Sequence, residues 1–409
     1  MKLRTIIFFL LLCCSLQLRA QSDTLRLAFS VQGVVVDADN GRAIESALVS
    51  IPGTNNSTVT NADGKFIIKA AEPFSKIQIS FLGYKTSVCE ASPDKPVRIR
   101  LKPESYALEG ATIISGDAYD LVCAAIRRIP NNYSSKPELL ECFYRETVRK
   151  RTRYTYISEA VARMYKTGYG DGIYGDRTAL EKSRVLLSQK PSDTLSVKVQ
   201  GGPAQAVFLD VVKNPEVLFG PETLNQYNFE MGMPTYIDGR LQFVINFRPD
   251  SQITDVALYN GTLYIDSENL FFTRIEMSLD VSDKGKAIRR IVVRKPLSLR
   301  LVPKEMSIVV NYSYDGSLAR ISYFRSVFRF NCDWKKILFA TSYTAINELV
   351  VTDIRPQAIP IARSEQFRTS DILSDKASEF VDPDFWKDYN IIEPSESLEH
   401  AVDRLRKGR

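Results

Sequence analysis

The feature that most constrains this chain is a series of Gly-containing pairs set between runs of β-branched and aromatic residues. Asp63-Gly64 lies between Thr58-Val59-Thr60 and Lys65-Phe66-Ile67-Ile68, and Asn260-Gly261, Lys284-Gly285 and Asp315-Gly316 sit in similar surroundings. Glycine accepts the positive φ of a tight primed turn, so each pair predicts a hairpin. A chain of hairpins folds as antiparallel sheet. Between Gly33 and Tyr84 the spacing is short: Ala47, Val49 and Ile51 alternate with Leu48 and Ser50 before Pro52-Gly53-Thr54 stops the run. Such alternation is that of half-buried strands, and the stretch predicts a small β-sandwich.

Gly33, Val35, Asp37, Ile44, Ala47, Val49, Ile51, Gly53, Thr54, Thr60, Asp63, Gly64, Phe66, Ser80, Gly83 and Tyr84 form a spaced set. With these residues the stretch from about 31 to 102 resembles the carboxypeptidase regulatory-like domain, a transthyretin-like seven-stranded sandwich common at the N-termini of Bacteroidetes envelope proteins. The resemblance implies an accessory domain and no peptidase activity. Gly33, Asp37, Gly53, Asp63, Gly64, Phe66, Gly83 and Tyr84 are its signature positions here.

Residues 1–20 carry Lys2 and Arg4, an apolar run from Ile6 to Leu12, and Ala20 before Gln21, the pattern of a secretory signal peptide. The run is shorter than the ~20 residues needed to span a bilayer, and no later stretch qualifies, which predicts a mature chain without a transmembrane helix. Cys13 and Cys14 follow Leu10-Leu11-Leu12, without the small residue expected before a lipidated cysteine. Beyond the leader we expect an extension (21–30), the sandwich (31–104), a linker (105–116), a β-rich domain (117–380) and a C-terminal docking segment with a helix (381–409). The formal charge is +6, and three of the positive charges belong to the leader. The remaining basic clusters are interleaved with acids, and no nucleic-acid module is expected.

Four cysteines follow the leader: Cys89, Cys123, Cys142 and Cys332. None stands at metal-ligand spacing, and an exported chain permits either buried thiols or one disulfide. Sequence does not choose among the pairings; Cys123 with Cys142 is the pair to test.

Asp117 caps a predicted helix in which Leu121, Val122, Ala125, Ile126 and Ile129 form a stripe suited to covering a sheet. Candidate strands follow at 141–149, 155–165, 227–231, 241–247, 255–265, 271–280, 286–294, 301–314 and 319–331. Such a meander with one or two helices against its concave face makes a half-barrel enclosing an apolar groove. Tyr259-Asn260-Gly261-Thr262-Leu263-Tyr264-Ile265-Asp266 with Phe272-Thr273-Arg274-Ile275-Glu276 resembles the repeating strand pair of LolA-like half-barrels. That resemblance implies lipid or lipoprotein handling. Cys142-Phe143-Tyr144-Arg145-Glu146 and the segment from Phe385 to Pro394 resemble Bacteroidetes proteins that pair such a region with the regulatory-like sandwich.

Residues 166–204 read as a long irregular loop, in which Asp171 and Asp176 could bind calcium or a sugar, though not at EF-hand spacing. Ala206 to Leu218 is apolar enough to plug the groove. Near the end, Phe385-Trp386 supplies aromatic bulk, Trp386 reading as a core anchor, and a helix follows with Leu398, Val402 and Leu405 on one face.

The chain contains one histidine, His400. A zinc carboxypeptidase needs two histidines and a glutamate around the metal, and His400 has no sequence context for an H-E-x-x-H zincin, a serine triad or a cysteine–histidine pair; no phosphate loop, G-x-S-x-G elbow or dinucleotide fingerprint occurs. Ser92-Pro93-Asp94-Lys95 fits S-x-x-K without the helix that motif requires. No metal or cofactor is expected. The mostly β chain therefore reads as a non-catalytic envelope protein, periplasmic or outer-membrane associated, that binds an apolar ligand such as a lipid or lipoprotein, or an envelope protein. A structural or assembly module without a ligand cavity is the alternative, and a hydrolase with an unidentified carboxylate pair is a third reading.

Overall fold

The computed structural model describes residues 29–93, 95–104, 117–188, 190, 198–199, 202–250, 256–294, 299–334, 340–355, 357–379, 385–387 and 389–407. The leader and the expected linker at 105–116 lie outside them, as does most of the extension.

The N-terminal unit is a sandwich of seven strands. Phe29–Asp37 is central to one sheet, flanked by Lys65–Ala70 antiparallel and Val97–Leu101 parallel; the other runs Ser57–Val59, Leu48–Ser50, Lys76–Ser80, Ser87–Glu90. Alternation decides what fills it. Ala47, Val49 and Ile51 join Val31, Val35, Phe66, Ile68, Ile77 and Ile79 in the core, while Leu48 faces outward against the second domain. Gly33 sits under Phe66, where an added Cβ would come within 2.6 Å of the ring. The Asp63-Gly64 turn forms, with Gly64 at φ +72°. It does not make the expected hairpin, because the strands it joins belong to different sheets.

The second unit is one 13-stranded sheet forming the half-barrel. Its path runs Tyr227–Met231, Arg240–Pro249, Tyr259–Asp266, Phe272–Leu279, Leu299–Tyr314, Ala319–Trp334, Thr341–Arg355, Glu138–Lys150, Arg153–Lys166, Arg177–Leu187 and Gln366–Phe367. Each long strand serves two faces. Leu140, Cys142, Tyr144, Phe324, Phe328 and Phe330 point to an inner core, whereas Phe143, Val161, Tyr323 and Val350 point to the outer face.

Three expectations fail in informative ways. Asn260-Gly261 makes no turn; it lies inside the strand Tyr259–Asp266, with Gly261 opposite both Phe247 and Met277. A Cβ there would lie 1.9 Å from the Glu276 carbonyl oxygen, so the glycine serves close backbone approach. Lys284-Gly285 opens a helix, Lys284–Ile291, where a strand was expected. The loop expected over 166–204 contains the strand Arg177–Leu187, and its bulge at Leu180/Lys182 explains the broken alternation. Asp315-Gly316 behaves as expected, turning between Leu299–Tyr314 and Ala319–Trp334 with Gly316 at φ +96°.

The strand Thr341–Arg355 escapes sequence reasoning altogether. It is internal to the sheet, pairing with Ala319–Trp334 on one side and Glu138–Lys150 on the other. It therefore joins Glu138–Lys150, the first long strand of the domain, to Ala319–Trp334, the long strand just before it in sequence.

Candidate functional site

The inner face of the half-barrel is where a ligand groove was expected. Two segments cover it. Helix Ala118–Asn132, capped by the Asp117 carboxylate on the Tyr119 amide (3.0 Å), lays Val122 and Ala125 on the core, with Leu121, Ile126 and Ile129 beside them. Residues 204–219 form the expected plug: a short helix, Ala204–Phe208, then turns that bury Leu209, Val211, Val212, Val217, Leu218 and Phe219.

Inside this apolar surface the plug carries two charges, Asp210 and Lys213, and both are buried. Asp210 accepts from Lys166 Nζ at 2.6 Å, Tyr312 Oη at 2.8 Å and Tyr169 Oη at 3.2 Å. Lys213 donates to Asp176 at 2.5 Å and to the Thr167 carbonyl at 2.6 Å. Lys166 also lies 3.6 Å from Asp176. A strand end supplies Lys166 and its following turn Thr167, Tyr169 and Asp176, so the cluster latches the plug to the sheet. Tyr133, at the end of the covering helix, packs on Tyr169 with ring centroids 4.7 Å apart and hydrogen-bonds the backbone of Phe272.

Burial opposes the Lys166 ammonium, but Asp210 and Asp176 outweigh it and hold its pKa above the ordinary lysine value. Burial and the Lys166 charge push Lys213 below that value. Burial, reinforced by Asp210, drives the Tyr133, Tyr169 and Tyr312 phenols well above the usual tyrosine range. The cluster is thus two ammonium–carboxylate pairs with neutral phenol donors around one carboxylate. Asp176 is buried in the cluster, its Oδ1 accepting from Lys213 and from the Thr167 amide and hydroxyl, whereas Asp171 is exposed on a single 3-10 turn. Sequence reasoning missed the latch, although Asp210 and Lys213, three residues apart in an apolar run, are its trace.

The outer face carries the sandwich, fixed by residues 385–387 and 389–394. Trp386 packs edge-on to Phe143 at 5.5 Å, in a cluster that joins Val59 of the sandwich to Val161, Tyr323 and Val350 of the sheet. Lys69 of the sandwich donates to the carbonyls of Trp386, Lys387 and Tyr389 (2.9, 3.1 and 2.9 Å). The Asn390 side chain pairs with both backbone groups of Lys69, covering a sheet edge. Beneath Trp386, Glu159 bridges Arg145 and Arg184 and accepts from the indole at 3.2 Å. Burial raises the Glu159 pKa, but the two guanidiniums outweigh it and leave the carboxyl below its ordinary value.

The sandwich signature residues have structural roles. Asp37 accepts from Tyr84 Oη at 2.6 Å and from the amides of Asp39 and Asn40, tying the end of the strand Phe29–Asp37 to the turn between Lys76–Ser80 and Ser87–Glu90. Gly53 and Gly83 occupy turns, the Gly83 amide bonding to the Tyr236 carbonyl of the second domain, and Asp63 accepts from the Glu396 amide. Cys123 is half-buried on the covering helix and Cys142 is buried on a strand; with Cys89 and Cys332 they are free thiols, so the bridge to be tested is not formed here. His400 is exposed, 3.7 Å from Glu396. Among the described residues no three His, Cys, Asp or Glu side chains gather as metal ligands, and no helix is long and apolar enough to cross a membrane.

Residues 31–113 match the CarboxypepD_reg-like domain family. A search of curated proteins returns no match. Several solved structures are similar. A domain from Vibrio parahaemolyticus, described as an outer membrane lipoprotein-sorting protein, shares 12% identity over 60% of this chain and 94% of its own, with a TM-score of 0.28. A LolA superfamily protein from Nitrosomonas europaea shares 11% over 61% and 100%, with a TM-score of 0.20. MucB, solved in complex with the periplasmic part of MucA, shares 12% over 59% and 100%, with a TM-score of 0.18.

Proposed function

We propose that this chain is a non-catalytic, exported envelope protein that binds an apolar ligand, a lipid or the acyl part of a lipoprotein, on the inner face of its half-barrel. The observation that carries the reading is the cover of that face. A broad apolar surface is closed beside the helix by a segment, 204–219, with only one short helix in it, held by a discrete polar latch. An acyl chain that displaced the plug would meet the same apolar side chains. The leader-like residues 1–20 support export, and the pairing of each latch carboxylate with an ammonium supports binding over hydrolysis.

A second reading is a structural module whose groove stays filled by its own residues. The full burial of the latch favours it, since freeing the plug exposes two ion pairs and several valines. Native mass spectrometry of protein purified from its own envelope, followed by denaturation and analysis of released molecules, separates the two. A stoichiometric lipid supports the carrier. The bare polypeptide mass, under conditions that preserve a control lipid complex, supports the filled module.

A further inference from the structure

A cleft lies between the sandwich and the sheet. One part is bounded by Ser80, Leu82, Arg240, Phe271 and Tyr314. The other, of about 490 Å3, is bounded by Asp37, Arg42, Glu45, Tyr84 and Arg325. Ser46, Phe81, Arg274 and Tyr323 line both, so the two parts adjoin, with walls from both domains. The larger part falls within the range of small-molecule sites.

The lining restricts the ligand's chemistry. Arg325 pairs with Glu45 at 3.3 Å, Arg274 with Glu276 at 2.6 Å, and Asp37 is bound by Tyr84. Arg42 is the lining cation without a carboxylate partner among the described residues. An anion would find one unpaired cation in a cleft that also holds Asp37 and Glu45. An apolar ligand would bury guanidinium and carboxylate groups without replacing their water. A neutral polyol meets both donors and acceptors and needs no net charge. The Phe81 and Tyr84 rings, tilted at 49° with centroids 5.8 Å apart, add a surface for the C–H faces of a sugar.

We propose that this inter-domain cleft binds a neutral oligosaccharide, held by Arg42, Phe81 and Tyr84 of the sandwich and Arg274 of the sheet. The four residues line the larger part of the cleft, which shares no lining residue with the inner core, whereas the smaller part reaches Tyr312 of the latch. The test applies the purified full chain to an array of neutral glucans, mannans, galactans, xylans and chitin fragments beside sulfated and uronic-acid glycans. Titration calorimetry on the bound glycan then compares wild type with Arg42→Ala, Arg274→Gln and, as a surface control, Tyr174→Ala. Arg42 and Tyr174 are exposed, so neither substitution threatens folding. The expected result is saturable binding of a neutral glycan that is insensitive to added salt. One or both arginine substitutions should weaken it about tenfold or more, the worth of one charge-assisted hydrogen bond, and Tyr174→Ala should leave it unchanged. Binding of no neutral glycan, binding confined to charged glycans, or a loss smaller than that in both arginine variants overturns the proposal.

Discussion

The hydrogen bond between Tyr84 and Asp37 makes the sandwich pH-dependent in a defined direction. Asp37 raises the Tyr84 pKa to about 12, and Tyr84 lowers that of Asp37. The unfolded tyrosine titrates near pH 10. The phenol's contribution is therefore complete below about pH 10 and lost as pH rises through about 12; the carboxylate's is present above about pH 4 and lost as pH falls below it. Melting temperatures of wild type and Tyr84→Phe should differ by a constant amount near neutrality, and the gap should close in strong alkali. The thiols give a second residue-level prediction. Burial pushes Cys332 up to about 12 and raises Cys142 beyond that, whereas both Cys89 and Cys123 are only half-buried. Alkylation of the native protein should modify Cys89 and Cys123 and spare the other two until denaturant is added. Release of Cys123 and Cys142 only after reduction would show that they are bridged in the isolated protein.

At the scale of elements, the latch and the close-packed strands carry the stability argument. Asp210→Asn leaves Lys166 buried with a weaker partner and should cost about 3–5 kcal/mol in urea unfolding. Tyr312→Phe removes the hydrogen bond to the Asp210 carboxylate and the acceptor of the buried Val212 amide, and should cost roughly 1.5–3 kcal/mol. Gly261→Ala forces a methyl group against the Glu276 carbonyl and should cost about 1–3 kcal/mol or more. These positions also show what was legible. Alternation at Ala47, Val49 and Ile51 gave the sandwich core, and the apolar run at 206–218 gave the plug. Asn260-Gly261 misled because the same dipeptide serves a turn and a crowded strand, and only the neighbouring backbone distinguishes them. Arg177–Leu187 was hidden because its charges satisfy distant partners: Arg184 reaches Glu159, and Lys182 reaches the Phe385 carbonyl. The latch joins residues from 133 to 312, a proximity that no local pattern encodes.

For the whole molecule, the decisive contact is the wedge of residues 385–387 and 389–394 between sandwich and sheet. Trp386→Ala should cost about 3–5 kcal/mol. Because it empties the shared cluster without entering either domain's own core, it should loosen their relative placement before unfolding either one. Small-angle scattering checks this: a larger radius of gyration with unchanged far-ultraviolet circular dichroism is expected, and an unchanged radius would show that the polar contacts at Lys69 and Asn390 suffice.

The pairing of Thr341–Arg355 with Glu138–Lys150 bears on how the chain is made. Val351 lies opposite Cys142, so the sheet cannot close until most of the polypeptide has left the ribosome. Contacts so distant along the chain are slow to form, because the loop between them must be ordered first. A nascent chain ending before residue 341 lacks the strand that joins its two halves and should remain protease-sensitive, while one extended beyond 355 gains protection. Late closure would keep the sheet of the growing polypeptide open for longer.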